Sequence, residues 1–215
     1  MIGGHPLQPD WKQSSHRERF AAVRPYVEGR SVLDIGAGTG YRRSDWMHGL
    51  IAEAARETVG LELDRRKVAE GIARGADLRE GNAESFDLGR TFEVVWAGEL
   101  IEHLDNPGHF LDAARRHLAP DGRLVLTTPN VFGVSNFVYR LWGTARVNAE
   151  HTCWFCEVTL RQLLERHGFE VEEISYLAHR TPGRARSLAA RLVRWPLPDR
   201  LAENTILAVA SASGV

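Results

Sequence analysis

Apolar positions along this chain recur in two rhythms, and the rhythms alternate. From Gln13 to Val27, Phe20, Val23 and Val27 fall on one side of a helix while Arg17, Glu18 and Arg24 fall elsewhere. That pattern predicts a helix after a loose tail over residues 1–10. Val32-Leu33-Asp34-Ile35 is short and largely apolar, the signature of a buried strand. Trp46, Leu50, Ile51 and Ala54 restore helical spacing as far as about Arg56. The exchange then repeats, with strands at Thr58–Leu61, Asp77–Glu80 and Phe92–Ala97 and a short helix over 65–74. Asn106-Pro107 predicts a capped helix start, Phe110, Leu111, Ala114 and Leu118 its inner face, and Pro120-Asp121-Gly122 its stop. Strand five is Leu124–Thr128, and Leu160, Leu163 and Leu164 mark a further helix closed by Gly168. Phe169–Leu177 and Thr205–Ala210 are the last two strands.

Strands alternating with helices mean an α/β fold, a doubly wound and mostly parallel sheet with helices on both faces. A chain of 215 residues has room for one such domain with a full core, and not for two large ones. Basic and acidic residues nearly balance at 27 and 28, net −1, which argues against a dedicated nucleic-acid partner. No apolar stretch is long enough to cross a bilayer, and the first residues, with Pro6, Pro9 and Asp10, hold no apolar signal core. The expectation is a soluble, cytoplasmic protein, monomer or homodimer, without stable membrane insertion. Cys153 and Cys156 are too few for a disulfide scaffold.

Composition leaves the chemistry open, and the turn after the first strand narrows it. Gly36-Ala37-Gly38-Thr39-Gly40 puts three glycines at alternate positions directly after a strand. Such a turn lets a ligand lie against bare backbone. A dinucleotide fold asks for G-x-G-x-x-G; here the third glycine comes one residue early and Tyr41 fills the expected place. Asp34, Glu62, Glu84 and Glu99 stand at the carboxyl ends of predicted strands, where open α/β sheets bind ligands. Glu62 follows the glycines by roughly 20 residues, the place of the acid that takes ribose hydroxyls, and its two oxygens can accept from both.

Val32–Gly40 resembles the glycine motif of class I S-adenosylmethionine-dependent methyltransferases, and the resemblance extends over roughly residues 30–177. It implies a Rossmann-like sheet of seven strands with the last one antiparallel between strands five and six. It also implies S-adenosylmethionine as cofactor, held by Asp34, Gly36, Ala37, Gly38, Gly40, Glu62, Leu63, Asn82, Ala83, Glu84, Gly98 and Glu99. That cofactor has no phosphate to cradle, so acids and bare backbone suit it better than a P-loop lysine. Asn82 takes the family's adenine-recognition position, often an aspartate, with the Ala83 N–H nearby. The chain then divides into a tail and cap helix (1–28), a cofactor-binding half (29–128), an aromatic connection (129–156) and a C-terminal part (157–215).

After strand four, a helical turn would put Glu99, Glu102 and His103 on one face at i, i+3 and i+4, and His151 could complete a set of metal ligands. This Glu-x-x-Glu-His segment with a distant histidine is similar to those of ubiquinone-pathway O-methyltransferases and small-RNA 2′-O-methyltransferases. In both, a divalent cation is thought to bind the hydroxyl that is methylated. Without metal, His103 with Glu102 could act as base near the acceptor. The plain alternative is acids that complement a helix dipole. Cys153-Trp154-Phe155-Cys156 fits an apolar turn before a helix better than a metal or redox pair.

Phe132, Phe137, Tyr139, Leu141, Trp142, Trp154 and Phe155, with Arg140 and Arg146, make 130–155 a candidate lid over the acceptor or, equally, a satellite core. Arg184, Arg186, Arg191 and Arg194 give 180–200 a basic amphipathic character that suits a solvated helix face. The reading is a methyltransferase acting on a hydroxyl of a sugar, polyketide or phenol-like small molecule. Transfer to nitrogen or carbon without metal is the alternative. Its rivals are a nicotinamide oxidoreductase, which lacks an evident hydride-transfer dyad here, and a non-catalytic S-adenosylmethionine-binding partner.

Overall fold

A computed structural model of the chain describes residues 16–38, 45–141, 147–177 and 197–214. Its centre is one seven-stranded sheet in the order β3-β2-β1-β4-β5-β7-β6. The strands are β1 (Ser31–Ile35), β2 (Glu57–Glu62), β3 (Leu78–Glu80), β4 (Phe92–Gly98), β5 (Leu118–Pro129), β6 (Phe169–Leu177) and β7 (Thr205–Ala212). Strands β1 to β5 pair in parallel, and β7 runs antiparallel to both β5 and β6.

Alternation along the strands decides which helix packs where. Val32, Val94, Trp96, Val125, Leu207 and Val209 point to one face and bury Val23 and Val27 of α1 (His16–Val27) with Met47 and Ile51 of α2 (Met47–Ala54). The intervening residues Leu33, Ile35, Val95, Ala97, Leu124 and Leu126 point the other way. They meet Phe110 and Leu111 of α4 (Pro107–Arg116) and Leu160 and Leu164 of α6 (Glu157–Arg166). Each such side chain contributes ~1.5–3 kcal/mol by leaving water. Two apolar faces on one sheet require helices on both, which is the doubly wound arrangement. The remaining helices are α3 (Arg65–Ile72), α5 (Val134–Leu141) and the short α7 (Asp199–Ala202).

Two expectations about α4 and β5 are corrected. The Asn106 side chain makes no capping bond at the start of α4. Glu84, from the loop between β3 and β4, instead holds the residues just ahead of the helix, accepting from the N–H groups of Asp105 (2.9 Å) and Asn106 (3.0 Å). The helix ends at Arg116, and β5 begins at once with Leu118, so Pro120-Asp121-Gly122 lies within the strand. Phe92 pairs with Leu118 and Val94 with Arg123, so those turn residues form a bulge instead of a helix stop. A Cβ on Gly122 would lie 2.9 Å from the Phe92 carbonyl, which explains the glycine.

The tail over 1–10, the start of α1 at Gln13, Gly40, Tyr41, Trp142, Arg146 and residues 180–196 of the basic stretch lie outside the described residues. Among the described residues, no helix is long and apolar enough to cross a membrane.

Candidate functional site

The carboxyl ends of β1, β2 and β4 open on a cavity of about 440 Å³. Its walls include the sequence candidates Asp34, Gly36, Ala37, Glu62, Leu63, Asn82, Ala83, Gly98 and Glu99. The glycine turn sets up its most ordered part. Gly38 N–H donates to Glu62 Oε2 at 2.9 Å, and Asp64 N–H donates to Oε1 at 2.9 Å. A Cβ on Gly38 would sit 2.5 Å from Oε2, so this glycine is where the acid and the backbone touch. Both oxygens of the buried Glu62 are thereby aimed, and each keeps a lone pair for a ligand hydroxyl. Asp34, also buried, lies 2.9 Å from His48 Nδ1.

Asn82 is exposed, and its Oδ1 accepts from Glu84 N–H at 2.9 Å, a local turn that presents Ala83 to the cavity. Glu84 itself is a correction. It does not line the cavity; its carboxylate faces the loop before α4, where the Asn106 and Asp105 hydrogen bonds hold it below the ordinary carboxylate range. Its position at a strand end is structural.

The segment after β4 departs from a regular helical turn. Glu99 has φ 52°, in the left-handed region that a glutamate rarely adopts, and only Ile101–His103 forms a 3₁₀ turn. The expected shared face therefore loses Glu99. Glu102, His103 and His151 form the group, with potential ligand atoms all within 4.8 Å of one another. The rings of His103 and His151 meet edge to face at 4.6 Å. His151 is brought there by a strap: Thr152 N–H donates to the Glu102 carbonyl at 2.8 Å, and Thr152 Oγ1 donates to the Leu104 carbonyl at 2.6 Å.

Glu102 is buried; Thr128 Oγ1 donates to its Oε2 at 3.0 Å, while Oε1 has no hydrogen-bond partner among the described residues. Burial, and then the charge of Glu99, push the Glu102 carboxyl up to about 8. Burial, and then His103, push His151 down to about 4, so its imidazole is neutral near pH 7. His103 also borders the cavity, which joins the two parts of the site. Cys153 and Cys156 stay out of the group. Cys156 N–H bonds Thr159 Oγ1 at 3.1 Å at the start of α6, as an apolar turn would require.

Several cavity residues escape the strand-end rule, among them His16, Arg19, His48, Lys67 and Glu150. Arg19 was nevertheless legible, since it precedes Val23 by four residues and Val27 by eight, on the buried face of α1.

The family model "Methyltransferase domain" matches residues 12–174. A probable S-adenosylmethionine-dependent methyltransferase of Mycolicibacterium smegmatis is 34% identical over 76% of this chain and 61% of its own length. A tRNA U34 carboxymethyltransferase of Aeromonas salmonicida is 29% identical over 78% of this chain and 53% of its own. The chain thus spans between half and two thirds of the length of these relatives. Among solved structures, the CcbJ methyltransferase of Streptomyces caelestis superposes with a TM-score of 0.68 at 17% identity, covering 94% of this chain and 91% of that one. The strand order, the Gly38–Glu62 contact and the family match agree: the chain belongs to the S-adenosylmethionine-dependent methyltransferases.

Proposed function

We propose that this methyltransferase acts on the oxygen of a small-molecule hydroxyl (a sugar, polyketide or phenol) held beside His103. In this reading Glu102, His103 and His151 hold a divalent cation there. The observation that carries the proposal is the compact group of one carboxyl and two imidazoles, of which His103 borders the cofactor cavity.

The residues present fit S-adenosylmethionine. Glu62, aimed by two backbone N–H groups, suits the ribose diol, and Asn82-Ala83 suits the adenine edge. When bound, this cofactor supplies an electrophilic methyl on sulfur. The acidic wall of Asp34, Glu62 and Glu99 suits its positive charge. A divalent cation fits too: Glu102 Oε1 is buried with no partner among the described residues, and His151 is neutral and so available as a ligand. The Glu102 carboxyl, pushed up to about 8, would release its proton to the solvent on binding the ion. Carboxylate with imidazole suits Mg²⁺, Mn²⁺, Fe²⁺ or Zn²⁺. Such an ion, when bound, supplies Lewis acidity that lowers a hydroxyl pKa. In its absence His103, which borders the cavity, would take the hydroxyl proton as general base, and the cavity walls would supply proximity.

The tRNA-modifying relatives favour a second reading, an RNA acceptor. The near-neutral net charge of −1 weighs against it. One assay separates the two: labelled methyl transfer by metal-stripped protein to catechol, ribose compounds and tRNA, with and without Mg²⁺, Mn²⁺ or Zn²⁺. The expected result is metal-dependent labelling of a small hydroxyl acceptor, abolished in the Glu102→Ala/His103→Ala double variant, which still binds S-adenosylhomocysteine. Labelling of tRNA alone, or metal-independent labelling of nitrogen or carbon acceptors, overturns the proposal.

A further inference from the structure

The group of Glu102, His103 and His151 touches a fourth side chain that is no ligand. Trp154, three residues past His151 on the same strap, donates its indole N–H to His151 Nδ1 at 3.4 Å. An indole nitrogen can only donate, so Nδ1 is the acceptor in this contact. Burial, and then His103, keep the His151 ring neutral near pH 7, so its one ring proton sits on Nε2. One nitrogen is thus occupied and the other protonated. The lone pair that an ion would need is already in use.

A metal takes one nitrogen of a neutral imidazole, and the other then carries the proton and donates it outward. An ion at Nδ1 would take the lone pair on which the indole rests. An ion at Nε2 would leave the proton on Nδ1, where two donors would face each other. Both routes break the same bond. Its loss would not free His151 from the group, because Thr152 ties the strap to the Glu102 and Leu104 carbonyls by its own N–H and Oγ1. Nor would it leave the indole without contacts. Trp154 is half-buried and lines an apolar groove of about 590 Å³ with Phe132, Phe137, Leu197 and Leu201.

We propose that Trp154 is a latch on this group, closed on His151 without the ion and released when the ion binds. The closed latch opposes ion binding by one hydrogen bond and fixes the His151 tautomer. Its release passes the state of the group to the wall of the groove, which shares this side chain. Trp154 is then a positioning residue that regulates the group without entering it. This inference rests on the metal reading of Glu102, His103 and His151, and it holds whichever nitrogen of His151 ligates.

Metal-stripped wild type and Trp154→Phe, which keeps an aromatic ring but has no N–H, test it together. Calorimetry with Mg²⁺, Mn²⁺ and Zn²⁺ should show the variant binding the ion about two- to tenfold more tightly, since one competing hydrogen bond is gone. A residue that only supported the strap would weaken binding when removed. The chain has six tryptophans, so their indole N–H resonances can be followed singly by NMR on isotope-labelled protein. The resonance missing from the variant is that of Trp154, and in the wild type it should shift on adding Zn²⁺ more than the others do. Trp154 does not line the cofactor cavity, so S-adenosylhomocysteine affinity should stay within about twofold, which also shows that the variant is folded. No binding of any of the three ions overturns this inference together with the metal reading. Ion binding with an unmoved Trp154 resonance, or with equal or weaker affinity in Trp154→Phe, overturns the latch alone and leaves the metal reading standing.

Discussion

The two ends of the cavity are built on opposite terms. At the end by the glycine turn, Glu62 has each oxygen fixed by a backbone N–H, and Gly38 leaves room for that contact. At the end by the turn after β4, Glu99 and, behind the cavity wall, Glu102 each keep a buried oxygen, and Arg19 a buried Nε, with no hydrogen-bond partner among the described residues. A group whose bonds come from its own backbone is ordered before the ligand arrives, which lowers the entropic cost of binding. A group with an open buried position is poorly solvated until something fills it. The first end is made for holding. The second, in the proposed reading, receives charge that arrives with the ligands.

The largest effect should come from breaking the ordered end. Glu62→Ala should weaken S-adenosylhomocysteine roughly hundredfold, about 2–3 kcal/mol, because hydrogen bonds to a charged group are lost. Gly38→Ala, which drives a methyl into Oε2, should cost at least about tenfold by the same measure. An unchanged Kd in either variant would erase the distinction between the two ends. Glu84→Gln sharpens the comparison by isolating a strand-end acid that serves the fold. At pH 7 it should lower stability by about 1–2 kcal/mol and Tm by about 3–6 °C, with S-adenosylhomocysteine affinity within about twofold. Hydrogen bonds lower the folded Glu84 pKa, so its contribution is complete above the ordinary carboxylate range and is lost as pH falls through the folded value. Melting curves of wild type and variant should therefore draw together as pH falls below the ordinary carboxylate range and meet below the folded Glu84 value. The smallest effect belongs to Asn82→Asp. An aspartate oxygen can accept from Glu84 N–H as Asn82 Oδ1 does, so affinity should shift less than about threefold.

These contrasts mark what the residues could and could not disclose beforehand. Apolar runs made β1 and β4 legible, because a sheet covered on both faces writes itself as near-continuous hydrophobicity, and alternation made the edge strand β6 legible to the residue. The start of β5 was hidden because Pro120-Asp121-Gly122 carries turn chemistry, and only pairing with β4 turns it into a bulge. The strand-end rule brought Asp34, Glu62 and Glu99 to one cavity. It failed at Glu84, because where a strand ends does not say which way the next carboxylate points. Helical spacing anticipated the closeness of Glu102 and His103 and the sequence alone suggested His151, but the φ of Glu99 removed it from that group. Arg19 was overlooked because a charged residue on an amphipathic helix is by default assigned to water.

The placement of β7 has a consequence for how the molecule is made. Thr205–Ala212 lies between β5 and β6 and supplies hydrogen bonds to both. A ribosome delivers the chain from its N-terminus, so β5 and β6 emerge long before the strand that joins them. Through that interval a nascent chain with its first five strands assembled offers an unsealed edge on β5, while β6 has no sheet to join. Unsealed edges are where chains pair with their neighbours. A chain that stops short of Thr205–Ala212 therefore keeps both the open edge of β5 and an unpaired β6.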